Sequence, residues 1–312
     1  MTVTKNIHNA VSSTEIRLNK AIAAAGLCSR RKADDLILQG MVQVDGMVET
    51  NPGRRITSET ITVLGKHLQK PQDFYYYLLH KPVHTVCTVY DPQGRPTVLD
   101  CLPETVRKIR LYPVGRLDYF SEGLLLLTND GELAQRLTHP RYHLPKTYEV
   151  LLRESPSPTD LATMRQGMTL TEGEKLLPVT VDVIRALPQG RCLLRMILRQ
   201  GVNRQIRRMC RDLELTVLRL RRVAQGPLQL GSLAYGQTRV LSSQELSALK
   251  EEVGLLSCRN DKNVHACHAV KGDKTEAGPS PVMKKARLDY SKQKCRKPLK
   301  NAGKEKEPRV QK

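Results

Sequence analysis

Apolar and polar positions alternate along this chain with periods that change from segment to segment, and the apolar signal is densest at one place. Leu124-Leu125-Leu126-Leu127 form an unbroken apolar run, preceded by the polar stretch Arg116 to Glu122 and closed by the turn signal Asn129-Asp130-Gly131. A short apolar run bounded in this way predicts a strand buried on both faces. Such a strand is a rigid support, so a loop anchored at its start holds a carboxylate, here Asp118, in a fixed position. Arg116, two residues away, is expected to keep that carboxylate ionised.

Upstream, residues 1–14 are polar and expected to be disordered, and residues 15–70 read as a compact module. Leu18, Ala21, Ile22 and Ala25 recur at helical spacing and Gly26 ends that helix; Ser29 is the N-cap of a second, carrying Ala33, Leu36 and Ile37 as far as Gly40. Val42 and Val44 then alternate, and Asp45-Gly46 signals a hairpin into Met47-Val48. After the linker Lys70 to Asp73, residues 72–255 form the main domain. Its aromatic segment Phe74 to Leu79 predicts a strand that His80-Lys81-Pro82 leaves, and Asp91 to Thr97 carries turn chemistry. A short helix, Glu132 to Leu137, is capped by Asn129 or Asp130; strands start at Lys146 and run from Arg191 to Leu198 and from Val217 to Val223, with a helix over 159–167. Ile206, Met209, Cys210 and Leu213 share one helical face, and Arg204, Arg207, Arg208 and Arg211 spread over the rest. Ser242 with Glu245 makes a capping box for a last helix to Val253. Residues 256–312 are poor in apolar positions and rich in Lys, Pro and Gly, which predicts a disordered tail.

Composition changes this picture in two ways. The hydrophobic share of 39% over 312 residues suffices for a sizeable core, while no run of about eighteen apolar residues and no secretory h-region is present. No membrane association and a cytoplasmic location are therefore expected. The eight cysteines contain no Cys-x-x-Cys pair, and those in apolar patterns, such as Cys87 and Cys210, read as reduced small hydrophobes. Cys258, His265, Cys267 and His268 fit no standard zinc spacing, and Pro140 disrupts a helical pairing of His139 with His143, so no metal is expected. Formal net charge is +20, which points to a polyanionic partner, nucleic acid above all. Sixteen basic and six acidic residues lie beyond residue 256, so the tail holds half of that excess and the remainder is basic too. Lys284-Lys285-Ala286-Arg287 and Lys294-Cys295-Arg296-Lys297 allow a nuclear address, but a non-specific grip on RNA is the expected role. Arg17, Lys20, Arg30, Arg31 and Lys32 give the first two helices a cationic side. With two Phe and no Trp, recognition by an open sheet of stacked aromatics is not expected; binding should be electrostatic and shape-based.

Three blocks are more specific than their physics. Gly115-Arg116-Leu117-Asp118 followed by Ser121-Glu122-Gly123 and the leucines through Gly131, Lys146-Thr147-Tyr148, and Gly201-Val202-Asn203-Arg204-Gln205-Ile206-Arg207-Arg208-Met209 resemble, in order, the signature of the RsuA/RluB/RluF family of ribosomal RNA pseudouridine synthases. His80-Lys81-Pro82 resembles that family's Asn-Lys-Pro block, with His80 in place of Asn and His84 where the family usually has glycine. Residues 16–46 look like the S-four type of RNA-binding domain that the family commonly carries at its N-terminus. The resemblance implies an α+β fold: a small S-four-type module, then a mixed, mainly antiparallel sheet with flanking helices. It implies isomerisation of a uridine in ribosomal RNA, on a ribosomal subunit or an assembly intermediate, by a monomer without metal or cofactor. By alignment Asp118 is the catalytic residue, acting as nucleophile or base; Arg207 pairs with it, and Tyr148 stacks on the uracil. Arg17, Lys20, Arg30, Arg31, Lys32, Arg116, Lys146, Arg204 and Arg208 are the expected RNA contacts. The Asn203-Arg204 variant looks closest to large-subunit enzymes. The competing expectations are a small-subunit substrate, a non-catalytic RNA-binding or ribosome-assembly protein, and, on the tail alone, a nuclear DNA-binding protein.

Overall fold

The computed structural model of the protein describes residues 15–69 and 73–256. The expected disorder at both ends, the basic tail runs and the Cys258, His265, Cys267 and His268 group lie outside the described residues.

The N-terminal module comprises β1 (Ile16–Arg17), α1 (Leu18–Ala24), α2 (Arg30–Leu38), β2 (Val42–Val44), β3 (Met47–Val48), β4 (Arg55–Ile56), β5 (Ile61–Val63) and β6 (Lys66–His67). Local chemistry explains its boundaries. Gly26 takes φ +80 just beyond α1, and the Ser29 hydroxyl accepts from the Lys32 N–H at 3.1 Å to start α2. Asp45 and Gly46 both have positive φ, which is the two-residue turn that matches strand twist and joins β2 to β3. Leu18, Ile22, Ala33 and Ile37 bury against Val42, Ile61 and Val63 of the sheet β3-β2-β5-β6. Arg17 lies on β1 rather than on a helix.

The second part comprises β7 (Tyr76–Lys81), α3 (Glu104–Arg107), β8 (Tyr112–Pro113), β9 (Glu122–Thr128), α4 (Gly131–Thr138), β10 (Lys146–Leu152), α5 (Pro158–Gln166), β11 (Thr180–Ala186), β12 (Cys192–Leu198), α6 (Gln205–Asp212), β13 (Val217–Gln225), β14 (Leu228–Gln229), β15 (Thr238–Val240) and α7 (Ser243–Glu252). Its sheet runs β11-β12-β10-β13-β9-β7-β15, with β14 on β13 and β8 on β9. Neighbours are antiparallel except β13 and β9, which pair in parallel through Arg221 with Glu122 and Arg222 with Gly123. This parallel seam divides the sheet into two halves, each with its own core. The architecture is the α+β fold expected from the sequence.

β9 is buried along its whole length. Leu124 and Leu126 pack with Leu133, Leu137 and Leu249 from α4 and α7, while Leu125 and Leu127 face Leu79, Val98, Leu102 and Leu111 on the other side. Across the seam, Val150, Leu152, Leu194 and Met196 pack against Met164 of α5 and Met209 and Cys210 of α6.

One detail differs from expectation, one decides between two expected residues, and one had no expectation. β7 begins two residues later than its aromatics suggest, and His80 and Lys81 continue it, pairing with Leu124 and Gly123. The cap of α4 is Asp130, which accepts from the N–H groups of Glu132 and Leu133, while Asn129 instead accepts from the Tyr75 N–H. β11 gave no clear signal because it is an edge strand exposed at all but one position.

Candidate active site

Asp118 occupies the loop that enters β9, and that loop is a turn fastened from two sides. The Ser121 N–H donates to the Asp118 carbonyl at 3.1 Å, and the Phe120 N–H donates to Asp118 Oδ1 at 2.9 Å. An aspartate at the first position of a turn favours this conformation, because its side chain binds the backbone two residues on. Leu117, buried before it, fixes the entry.

The first fastening comes from α6. Arg207 Nε donates to Asp118 Oδ2 at 3.2 Å, and its terminal nitrogen donates to the Phe120 carbonyl at 2.9 Å. The pair is partly buried, with side-chain exposures of 15% and 22%, so screening by solvent is reduced. The helix can offer this arginine because Ile206, Met209 and Cys210 bury its opposite face. Burial pushes the Cys210 thiol up to about 12, which leaves it inert.

The second fastening comes from β7 and had no assigned role in the sequence reading. The Lys81 ammonium is fully buried and donates to the carbonyls of Pro82, Asp118 and Ser121 at 2.9, 3.1 and 2.8 Å. Burial pushes its pKa down, opposed by the neighbouring Cys87 thiol and Asp118 carboxylate. The only sequence signal was its place in the His80-Lys81-Pro82 block.

Arg116 is exposed and forms no ion pair among the described residues, so the cation beside Asp118 is Arg207. Leu117 takes the inward position between Arg116 and Asp118 and leaves the arginine on the outside.

Tyr148 lies in the ladder beside this loop. It pairs with Arg222 of β13, which pairs with Gly123 of β9, so three adjacent strands bring Tyr148, Arg222 and the Asp118 loop to one end of the seam. Gly123 has φ +111, and a Cβ there would stand 2.2 Å from the Arg222 carbonyl oxygen; only glycine permits the parallel approach. Arg222 is 2% exposed, donates from Nε to the Leu124 carbonyl at 2.8 Å, and has one terminal nitrogen without a partner among the described residues. Lys146 at the start of β10 is half-buried, its pKa pushed down by burial and then by Arg222. The loop therefore places one carboxylate among several cations, an arrangement suited to an anionic ligand.

The remaining cations divide. A cavity of about 810 Å³ is lined by Asn203, Arg204, Arg207, Arg208 and Arg211. Arg204 is exposed, whereas Arg208 is paired with Glu172 at 2.9 Å and with Glu174, so its charge is already compensated. Lys20 and Arg30 line a larger cavity of about 1520 Å³ with Arg107, Arg110 and Asn129, beyond the far end of β9 from Asp118. Arg17, Arg31 and Lys32 are exposed on the N-terminal module. His139 and His143 flank a single turn of 3-10 helix, and no group of three or more metal-ligating side chains occurs among the described residues.

Comparison with known proteins gives this geometry a lineage. Residues 75–212 match the RNA pseudouridylate synthase family and residues 16–61 match the S4 domain. An uncharacterized RNA pseudouridine synthase of Aquifex aeolicus is 40% identical over 244 residues, which are 77% of this chain and 96% of that protein. Ribosomal large subunit pseudouridine synthase B of Bacillus subtilis is 37% identical over 236 residues, 75% of this chain and 95% of that protein. A crystal structure of a pseudouridylate synthase aligns with TM-score 0.55 at 28% identity, covering 75% of this chain and 99% of that one. With relatives matched over nearly their whole length and the S4 and synthase segments in the same chain, this protein belongs to the RNA pseudouridine synthase family.

Proposed function

We propose that this enzyme isomerises one uridine of large-subunit ribosomal RNA to pseudouridine, with Asp118 as its catalytic residue. The observation that carries this reading is the Asp118–Arg207 ion pair, held in a loop that Lys81 of β7 also fastens. The name of the relative from Bacillus subtilis supports the choice of subunit.

The reaction breaks the N1–C1′ bond, joins C5 to C1′, moves a proton off C5 and leaves one on N1, with no change of oxidation state. A uridine in folded RNA must first leave its stack, at a cost of a few kcal/mol that protein contacts offset. Arg207 holds Asp118 aimed through their ion pair, and Asp118 acts at the ribose or the ring, as nucleophile or as base. Tyr148 stacks on the uracil, while Lys146, Arg204 and Arg116 hold flanking phosphates. Arg17, Lys20, Arg30, Arg31 and Lys32 of the S4 module add RNA contacts. In this reading the enzyme works as a monomer, with Asp118, Tyr148 and Arg207 serving one site without a second copy. It acts in the cytoplasm, on a ribosomal subunit or its assembly intermediate; no helix among the described residues is long and apolar enough to cross a membrane.

The test is pseudouridine mapping by carbodiimide-stop primer extension on ribosomal RNA from cells lacking the protein, re-supplied with wild type or Asp118→Asn. One stop in large-subunit RNA restored by wild type alone is the expected result. A stop restored equally by Asp118→Asn removes Asp118 from catalysis, and the absence of any protein-dependent stop favours a non-catalytic RNA-binding role.

A further inference from the structure

Three aromatic rings meet directly beside Asp118. His84 and Tyr119 have ring centroids 5.3 Å apart, His84 and Phe120 5.8 Å, and Tyr119 and Phe120 5.2 Å. Phe120 is one of only two phenylalanines in the chain, yet it is 56% exposed. A lone exposed apolar side chain needs no explanation, but three contacting rings, two on the fastened loop and one on the segment leaving β7, form a preorganised surface. Each ring stands on fixed backbone: the His84 N–H donates to the Tyr119 carbonyl at 2.7 Å, the Phe120 N–H to Asp118, and the Phe120 carbonyl accepts from Arg207. His84 adopts φ +59 to make its contacts, a conformation that is costly for a residue other than glycine.

We propose that His84, Tyr119 and Phe120 form an aromatic platform that stacks on a nucleobase adjoining the target uridine. This rests on the reading of Asp118 as the residue that acts on that uridine. Two residues span at most about 7 Å, so a surface beginning one residue after Asp118 lies about one nucleotide from the reacting sugar. A flipped uridine leaves its neighbour with an uncovered π-face, and aromatic side chains accept any such face. Arg116 and Arg204, exposed and without a carboxylate partner among the described residues, supply charge for the phosphates on either side of that base. The rings thus contribute to the choice of substrate through stacking, where the arginines contribute through charge.

The experiment uses the full chain carrying Asp118→Asn, so that turnover does not obscure binding, and a large-subunit ribosomal RNA transcript as probe, titrated at several salt concentrations. Phe120→Ala keeps the backbone contacts to Asp118 and Arg207 and removes only the ring; a thermal melt confirms its fold. It is expected to weaken binding about ten-fold with an unchanged slope of log K against log salt, and Phe120→Trp is expected to restore it. Binding within two-fold of the parent, a reduced salt slope, or no rescue by Trp overturns the platform. The same substitutions in the active chain are assayed for pseudouridine formed. If the active parent forms none, the catalytic reading fails and with it the position assigned to the base. If the parent is active but indifferent to residue 120 in binding, only the platform fails.

Discussion

At the scale of single residues, the site depends on side chains that make two contacts at once. Arg207 reaches the Asp118 carboxylate with one nitrogen and the Phe120 carbonyl with another, a fork that an ammonium cannot reproduce. Arg207→Lys, which keeps the charge, is therefore expected to lower kcat/KM by roughly 30-fold or more, about 2 kcal/mol, in single-turnover assays on ribosomal RNA. Recovery to within a factor of three would mean that charge alone suffices. His84 presents the opposite case, a residue that strains the backbone. With φ +59 it costs about 1 kcal/mol relative to a residue at ease there, so His84→Gly should raise the denaturation midpoint slightly while weakening RNA binding. Opposite signs in a urea melt and a binding titration would establish that strain is kept for function.

At the scale of elements, what could be read in the sequence was local. Ser29, Asp45-Gly46 and the Ser242–Glu245 box marked boundaries because each acts on neighbours a few residues away, and the four leucines announced a strand that needs two apolar faces. What could not be read depends on partners far along the chain. Lys81 had only its place in the His80-Lys81-Pro82 block, since nothing local shows that three carbonyls enclose it; Arg222 had no signal, and β11 lacked any buried alternation. The meeting of Asp118 with Arg207, 89 residues apart, followed from motif resemblance and from no periodicity. Two elements yield sharp expectations. Gly123→Ala forces a Cβ onto the Arg222 carbonyl and should cost more than about 3 kcal/mol, read as loss of the cooperative melt. At α7, Glu245 receives a bidentate Arg239 and the Ser242 N–H and hydroxyl, which lower its pKa from 4.5 to about 2. Its folded pKa lies below the unfolded one, so this stabilisation is complete above about pH 4.5 and is lost as pH falls toward 2. Glu245→Gln should cost about 1–2 kcal/mol at pH 7, allowing for partial exposure, and the gap to wild type should close in melts taken across that acid range.

At the scale of the molecule, a quarter of the chain lies outside the match to Bacillus subtilis synthase B, and the basic tail carries half the net charge. Removing residues 257–312 is expected to leave the same uridine modified while flattening the salt dependence of RNA binding, since fewer counterions are released. Loss of modification on truncation would assign the tail a part in the reaction itself. The parallel seam between β9 and β13 has a consequence in time as well as in space. Strands that pair in parallel across about a hundred residues close late, because loop entropy is spent before their contacts form. Asp118 belongs to one side of that seam and Arg207, with Tyr148, to the other. During refolding from denaturant, helix and hairpin ellipticity should therefore return first, and the capacity to make pseudouridine should follow in a slower phase that reports the docking of the two halves.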